Sequence, residues 1–269
     1  ERGDDVAASY EAAALHLFGV VQQLVRAKQS VLLQVVVQSE GDSGACLAGL
    51  AGVLKTARQE NPQLYGQYLQ VSPADSAEEL ARKILGNAGA LQDEVVAYHG
   101  LERRVLAFTD IAMPPRGPRP WVDAGVYLIV GGLGGLGLIV AHDIARHARH
   151  TVLVLTGRSG LDADLNARLA ALAATGASVS YESIDVTDAQ AIQALVERIV
   201  AQHGRLNAVM HSAGVLSDNF IVRKTAEEFG RVLAPKVQGL VNLDLATRHV
   251  ALDHFIAFSS VAALGNAGQ

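Results

Sequence analysis

Apolar positions along this chain recur in two rhythms that alternate. From Ala8 to Lys28, Ala14, Leu15, Phe18, Val21 and Val25 follow the three- and four-residue spacing of a helix with one buried face. Ser30–Val37 is instead a continuous run rich in β-branched residues, the pattern of a buried strand. Gly41-Asp42-Ser43-Gly44 reads as a loop, and a second helix over Ala45–Gln59 stops before Asn61-Pro62. Leu64–Val71 is a further strand. Ala77–Leu85 is a helix opened by Ser76, with Glu79 completing a capping box. Asp93–His99 and Arg103–Thr109 read as strands joined by a short turn.

Met113 to Pro120 holds four of the chain's seven prolines, a stiff extended connection. It predicts a domain over residues 1–113, a linker over 114–120 and a second domain over 121–269. In the second domain, Val126–Val130, Thr151–Leu155, Ser178–Ile184, Leu206–His211 and Asp253–Phe258 read as strands. Helices fall between them: one after the glycines at 131–137, with Ile139, Ala141, Ile144 and Ala145 on one face, then Leu165–Ala174 and Ala189–Ala201. Two more are expected over Thr225–Val232 and Lys236–Arg248. Strand alternating with helix implies an α/β fold with two doubly wound, Rossmann-like parallel sheets.

The chemistry collects at strand ends, where a doubly wound sheet binds its ligands. Val126–Val130 breaks into Gly131-Gly132-Leu133-Gly134-Gly135-Leu136-Gly137 before the next helix begins. Strand, glycine turn and helix is the context of a dinucleotide fingerprint. Glycines allow a tight turn and close backbone approach, and the helix N-terminus faces the pyrophosphate. A plain flexible turn would show the same composition.

Arg158-Ser159 follows the next strand, where an NAD-binding fold commonly places an acidic residue; a guanidinium there suits a 2′-phosphate and so NADPH. The alternative is a solvated loop arginine. Asp185-Val186 could meet the adenine, or Asp185 could be a helix N-cap, a place that Thr187 or Asp188 would fill better. Ala213-Gly214 leaves room for the nicotinamide ribose, or is merely a turn. The N-terminal half has no such fingerprint. His147 and His150 lack a third ligand, which leaves no metal site, and His147 with Arg149 suits a helix C-terminus.

Half of the 269 residues are hydrophobic, 18% are charged and the net charge is −5, which describes an ordinary globular protein. There is no basic block to meet nucleic acid, and the glycine-broken Val126–Ala141 run is too short for a membrane span. A single cysteine, Cys46, excludes an internal disulfide and suits the reducing cytoplasm.

Taken together these residues resemble the short-chain dehydrogenase/reductase superfamily, and within it the ketoreductase domains of modular polyketide synthases. The resemblance is carried by the glycines at 131–137, Gly157-Arg158-Ser159, Asp185-Val186, His211-Ser212-Ala213-Gly214-Val215, Leu233-Ala234-Pro235-Lys236-Val237 and Phe258-Ser259-Ser260. Gly265-Asn266-Ala267-Gly268-Gln269 adds to it. Ala51 to Pro62 is similar to the cofactor-free structural subdomain that precedes the catalytic one in that family.

The resemblance implies NADPH-dependent reduction of a β-ketoacyl thioester, held by phosphopantetheine on an acyl carrier protein among neighbouring synthase domains. It makes Lys236 and Ser260 catalytic, with Ser259 as the alternative serine. The cofactor would be held by Gly131, Gly132, Leu133, Gly134, Gly135, Leu136, Gly137, Arg158, Ser159, Asp185, Val186, Ala213 and Gly214. Leu216-Ser217-Asp218 resembles the Leu-Asp-Asp motif of B-type ketoreductases, and Leu264 stands where A-type domains carry tryptophan. Both point to a B-type alcohol.

Family spacing puts the proton-donating tyrosine a few residues beyond Gln269, so residues 1–269 alone are expected not to turn over. Three departures stand out: Val130 where threonine is usual, Leu133 where a small or polar residue is usual and a leucine would narrow the phosphate cradle, and a Ser260–Gly265 segment one residue short. The competing readings are a non-catalytic, reductase-like scaffold domain and a stand-alone reductase of a small ketone.

Overall fold

The computed structural model describes residues 2–27, 29–39, 46–113, 117 and 119–264. The Gly41–Gly44 loop, most of the proline-rich linker and the Gly265–Gln269 motif lie outside them. The chain divides into two compact units. One gathers the start of the chain up to Ala7 with Met113–Leu216 and Arg231–Ser259; the other gathers Ala8–Ala112, Ser217–Gly230 and the segment that opens at Ser260.

The N-terminal unit takes its elements from α1 (Arg2–Ala27), β1 (Val31–Gln38), α2 (Leu50–Glu60), β2 (Leu64–Val71), α3 (Ala77–Asn87), β3 (Val95–His99) and β4 (Glu102–Val105). β1, β2 and β3 are parallel neighbours, while β4 runs antiparallel at the edge. The turn at Gly100, whose φ is +61°, is too short for a crossover, so the fourth strand must return beside the third. Gly66 of β2 lets α2 approach closely, since a Cβ there would stand 2.6 Å from the Leu54 Cβ. Ser76 caps α3 and Glu79 returns the bond, as its spacing predicts.

Ser217–Gly230 joins this unit although it follows the proline-rich boundary by about a hundred residues. Gln22 Nε2 donates to the carbonyls of Ile221 and Lys224, both at 2.9 Å. Glu60 accepts the Ile221 N–H at 2.8 Å, and Phe18 stacks on Phe229 with ring centroids 4.7 Å apart.

The C-terminal unit is built on β5 (Val126–Val130), α4 (Gly135–His147), β6 (Val152–Gly157), α5 (Ala163–Ala173), β7 (Ser178–Ser183), α6 (Ala189–His203), β8 (Ala208–His211) and β9 (His254–Ala257). The strand order is β7-β6-β5-β8-β9, all parallel. β5 is buried along its whole length because alternate side chains enter two different cores. Val126, Leu128 and Val130 face Ile192, Leu195, Val196 and Ile199 of α6, whereas Tyr127 and Ile129 join Ala141 and Ile144 of α4. Asn207 ties three strand starts together, accepting from the Val126 N–H at 2.9 Å and donating to Asp253 at 2.7 Å.

Three expectations change. The strand expected over Arg103–Thr109 is the shorter β4, Glu102–Val105. Ile139 is 65% exposed, because it lies two residues from Ala141 and so on the opposite side of α4. The two helices expected around Pro235 are one, α7 (Ala226–Thr247). An interior proline costs ~3 kcal/mol. Here Pro235 is itself buried, and Gly239, Asn242, Leu243 and Ala246 continue the packed face beyond it. No helix among the described residues is long and apolar enough to cross a membrane.

Candidate functional site

β5 and β8 lie side by side, while the chain reaches β8 only after crossing to β6 and β7, so the sheet's order reverses between them. That switch point is where the glycine turn sits. Gly131 takes a φ of +77°, and the N–H groups of Gly131 and Gly132 both donate to the Thr156 carbonyl, at 2.8 and 3.1 Å.

The inner glycines are fixed by contact. A Cβ on Gly131 would lie 2.8 Å from the Ala213 nitrogen, one on Gly132 2.8 Å from the Ile129 carbonyl, and one on Gly137 2.4 Å from the Gly131 carbonyl. At Gly135 a Cβ would meet nothing within 4 Å. The outer side of the turn is therefore open, and no side chain caps the start of α4 at Gly134. Open space against an uncapped helix N-terminus suits a pyrophosphate.

Two of the departures resolve here. Val130 lacks the usual hydroxyl, but the Ser212 hydroxyl donates to the Val130 carbonyl at 2.8 Å and braces the same turn from β8. The Leu133 side chain does not narrow the cradle: it is 5% exposed and belongs to the core with Ala141 and Leu155. Its carbonyl accepts from Arg168 at 3.2 Å. Leu136, by contrast, is 54% exposed.

At the end of β6, the Arg158-Ser159 loop is pinned from β7. Ser183 donates to the Arg158 carbonyl at 3.0 Å and Tyr181 to the Ser159 carbonyl at 2.6 Å. Asp185, beyond β7, accepts the Thr187 N–H at 2.9 Å and its hydroxyl at 2.8 Å. Those bonds, the backbone one foremost, hold its carboxyl below the usual range, helped by the nearby Arg158 charge. Asp185 thus closes a turn, while Asp188 caps α6 through the Ala191 N–H. Val186 is buried against Gly239, and its carbonyl accepts from the buried Asn242 at 2.9 Å. This contact seats α7 on the β7 turn.

Lys236 reaches the switch point from α7. Its Cε lies 3.9 Å from where a Gly214 Cβ would stand. The buried His211 meets the Pro235 carbonyl through Nε2 at 2.9 Å, and burial pushes its pKa below the ordinary histidine value.

The structure therefore assembles Gly131–Gly137, Ala213, Gly214 and Lys236 at one crevice, with Arg158, Ser159, Asp185 and Val186 at the neighbouring strand ends. Ser259 follows β9, whose pairing with β8 extends to a Phe258 N–H bond on the His211 carbonyl. Ser260, Asp218 and Leu264 fall in segments grouped with the N-terminal unit. Ser260 opens a 3-10 turn, and its Oγ accepts the Ala262 N–H at 3.1 Å. Asp218 is exposed.

The bracing roles of Ser212, Thr156 and Asn242 escaped the sequence reading. They act through backbone carbonyls, which leave no pattern in a sequence. His147 does sit at the α4 C-terminus, 2.7 Å from the Asp143 carbonyl.

The KR domain model matches residues 125–269, more than half of the chain. The chain belongs to the KR, or ketoreductase, domain family. Polyketide synthase PksN of Bacillus subtilis is 42% identical over 253 residues, covering 93% of this chain and 5% of that protein. Polyketide synthase PksL of the same organism is 40% identical over 264 residues, covering 97% of this chain and 6% of its own length. Among solved structures, a ketoreductase domain from the bacillaene assembly line superposes with a TM-score of 0.92 at 37% identity. It covers 98% of this chain and 63% of that one. Ketoreductase domains bind NAD(P)H, and the open glycine turn with its uncapped helix fits such a dinucleotide.

Proposed function

We propose that this ketoreductase domain reduces the β-keto group of an acyl thioester to a β-hydroxyl, with NADPH as the reductant. The thioester is carried by phosphopantetheine on an acyl carrier protein, among the other domains of a cytoplasmic polyketide synthase. One observation carries the reading: Lys236 lies against Gly214 at the crevice where the glycine turn meets the β8 turn. Residues 121–269 act as the catalytic part, and residues 1–113, which lack a nucleotide turn, as its structural partner.

NADPH supplies the hydride when bound. The α4 N-terminus and the open face at Gly135 would receive its pyrophosphate, and Arg158 its 2′-phosphate. Asp185 and the Val186 backbone would meet the adenine, and the bare backbone of Ala213 and Gly214 would leave space for the nicotinamide ribose. Lys236 would hold the ribose hydroxyls and lower the pKa of the family's proton-donating tyrosine, whose expected position lies beyond Gln269. The Ser260 hydroxyl donates to the substrate carbonyl oxygen as charge gathers there. Asp218 and Leu264 direct the thioester toward the B-type alcohol.

The test supplies the domain, within its parent polypeptide, with NADPH and the N-acetylcysteamine thioester of a β-keto acid. Loss of nicotinamide absorbance and formation of a single B-type alcohol is the expected result. The opposite alcohol overturns the stereochemical assignment alone. A folded protein that neither binds NADPH nor turns over is a scaffold domain.

A further inference from the structure

His211 is a buried titratable group beside the crevice, and the proposed mechanism leaves it without a task. It ends β8, three residues before Gly214, and is 6% exposed. Its backbone is fixed from both neighbouring strands. The adjoining Ser212 N–H donates to the Val130 carbonyl at 2.9 Å, and the His211 carbonyl accepts the Phe258 N–H at 3.1 Å. A side chain on so rigid a base is a fixed point for whatever it binds.

It binds the backbone one residue before Lys236. Nε2 lies 2.9 Å from the Pro235 carbonyl oxygen, which can only accept, so Nε2 carries the hydrogen. Burial, the largest influence on the ring, keeps it neutral. Nδ1 is then bare, and it is buried with no partner. An orphaned buried acceptor lowers stability, and an apolar side chain would fill the same space without that loss. What the histidine adds at this position is its one donor.

That donor meets α7 at a weak point. A proline inside a helix removes a backbone donor and crowds the turn before it, and Lys236 follows directly. Two turns later Asn242 fastens the same helix through the Val186 carbonyl at 2.9 Å. Lys236 in turn leans back on the β8 turn, its Cε 3.9 Å from where a Gly214 Cβ would stand. His211, Pro235, Lys236 and Gly214 therefore close a circuit from β8 to α7 and back, wholly within the C-terminal unit.

We propose that His211 is a positioning residue for Lys236: its Nε2–H holds the Pro235 carbonyl and thereby sets where the lysine ammonium stands in the crevice. The inference deepens the ketoreductase reading above and rests on it.

The test compares the wild-type protein, in its parent polypeptide, with H211L, H211Q, K236M and the double variant H211L/K236M. Leucine fills the space without a donor, whereas glutamine restores a neutral donor at a similar reach. Amide hydrogen exchange of residues 236–240 in α7 and 192–199 in α6 is read first and needs no activity. The kcat and KM for the N-acetylcysteamine thioester follow.

H211L should exchange about tenfold faster at 236–240, the effect of losing one buried hydrogen bond, with 192–199 unchanged. Its kcat should fall by about tenfold at a nearly constant thioester KM, and H211Q should recover most of both losses. In the K236M background the leucine should lower kcat no further, because a residue that acts through the ammonium has no effect once the ammonium is gone. Losses that multiply in the double variant overturn the proposal and leave His211 a purely structural residue. An H211L kcat equal to wild type also overturns it, as does an H211Q that restores exchange but not kcat. If H211L does not fold, H211N is judged on the same terms, since its shorter amide does not reach the Pro235 carbonyl. If the wild type reduces no thioester, the ketoreductase reading is what fails; faster exchange at 236–240 then still supports the hold on Lys236, and unchanged exchange overturns it.

Discussion

His211 Nε2 lies 2.9 Å from the carbonyl oxygen of Pro235, the residue immediately before Lys236. The imidazole is buried and its Nδ1 has no partner. A hydrogen bond from β8 therefore registers α7 on the sheet at the turn that aims Lys236.

Burial lowers the His211 pKa, and the Lys236 charge lowers it further against the opposing effect of the Pro235 bond. The folded state therefore prefers neutral histidine. In the unfolded chain the group protonates near its ordinary value of 6.5. The unfolded state thus binds more protons as pH falls below about 6.5, and stability is lost from there down to the folded pKa. Thermal melts across pH 5 to 7.5 should show this loss, and H211N should flatten it while melting lower at pH 7.5.

Gly137→Ala and Gly135→Ala separate packing from binding. At 137 the new methyl meets the Gly131 carbonyl at 2.4 Å, so the turn must move; a cost of about 1–3 kcal/mol is expected together with loss of NADPH affinity. At 135 the methyl has free space, and the melting temperature should hold or rise slightly. NADPH affinity should still fall, because the methyl enters the open space proposed for the pyrophosphate. Calorimetry and NADPH titration of both variants read the difference.

Arg158→Ala should raise KM for NADPH by about 10- to 100-fold, the value of a charge-assisted bond of ~1.5–3 kcal/mol. KM for NADH should change little, since NADH has no 2′-phosphate. The ratio of kcat/KM for the two cofactors is the measurement.

Ser260→Ala should lower kcat by about 10²–10³ through loss of one donor to the developing oxyanion. Ser259→Ala should leave kcat within a few-fold of wild type. If the two results exchange places, Ser259 is the catalytic serine. Lys236→Met keeps the stem against Gly214 but removes the charge, and should depress kcat while shifting its pH profile to higher pH.

The sheets were legible because buried strands announce themselves: Val126–Val130 and Leu64–Val71 match their expected limits without change. β7 was also found, although its alternation is shallow and it lies at the sheet edge. The glycine turn was legible since steric demand selects glycine by type. Pro235 misled because propensity is local, whereas the packing that carries α7 through it comes from residues one to three turns later. Ser217–Gly230 carries no period that reveals its allegiance. Gln22 and Glu60 bind its backbone, and backbone groups are the same in every sequence.

The N-terminal unit is finished by residues translated long after its sheet. Between β4 and the Ser217–Gly230 segment the ribosome adds about a hundred residues, roughly 5–20 s of synthesis. For that interval Phe18 has no Phe229 to stack on, and Gln22 and Glu60 have no Ile221 backbone to bind. A recombinant chimera joined at the proline-rich stretch would pair one parent's α1 and α2 with another's Ser217–Gly230 segment. Swaps that exchange Ser217–Gly230 together with the N-terminal half keep these bonds within one parent's sequence.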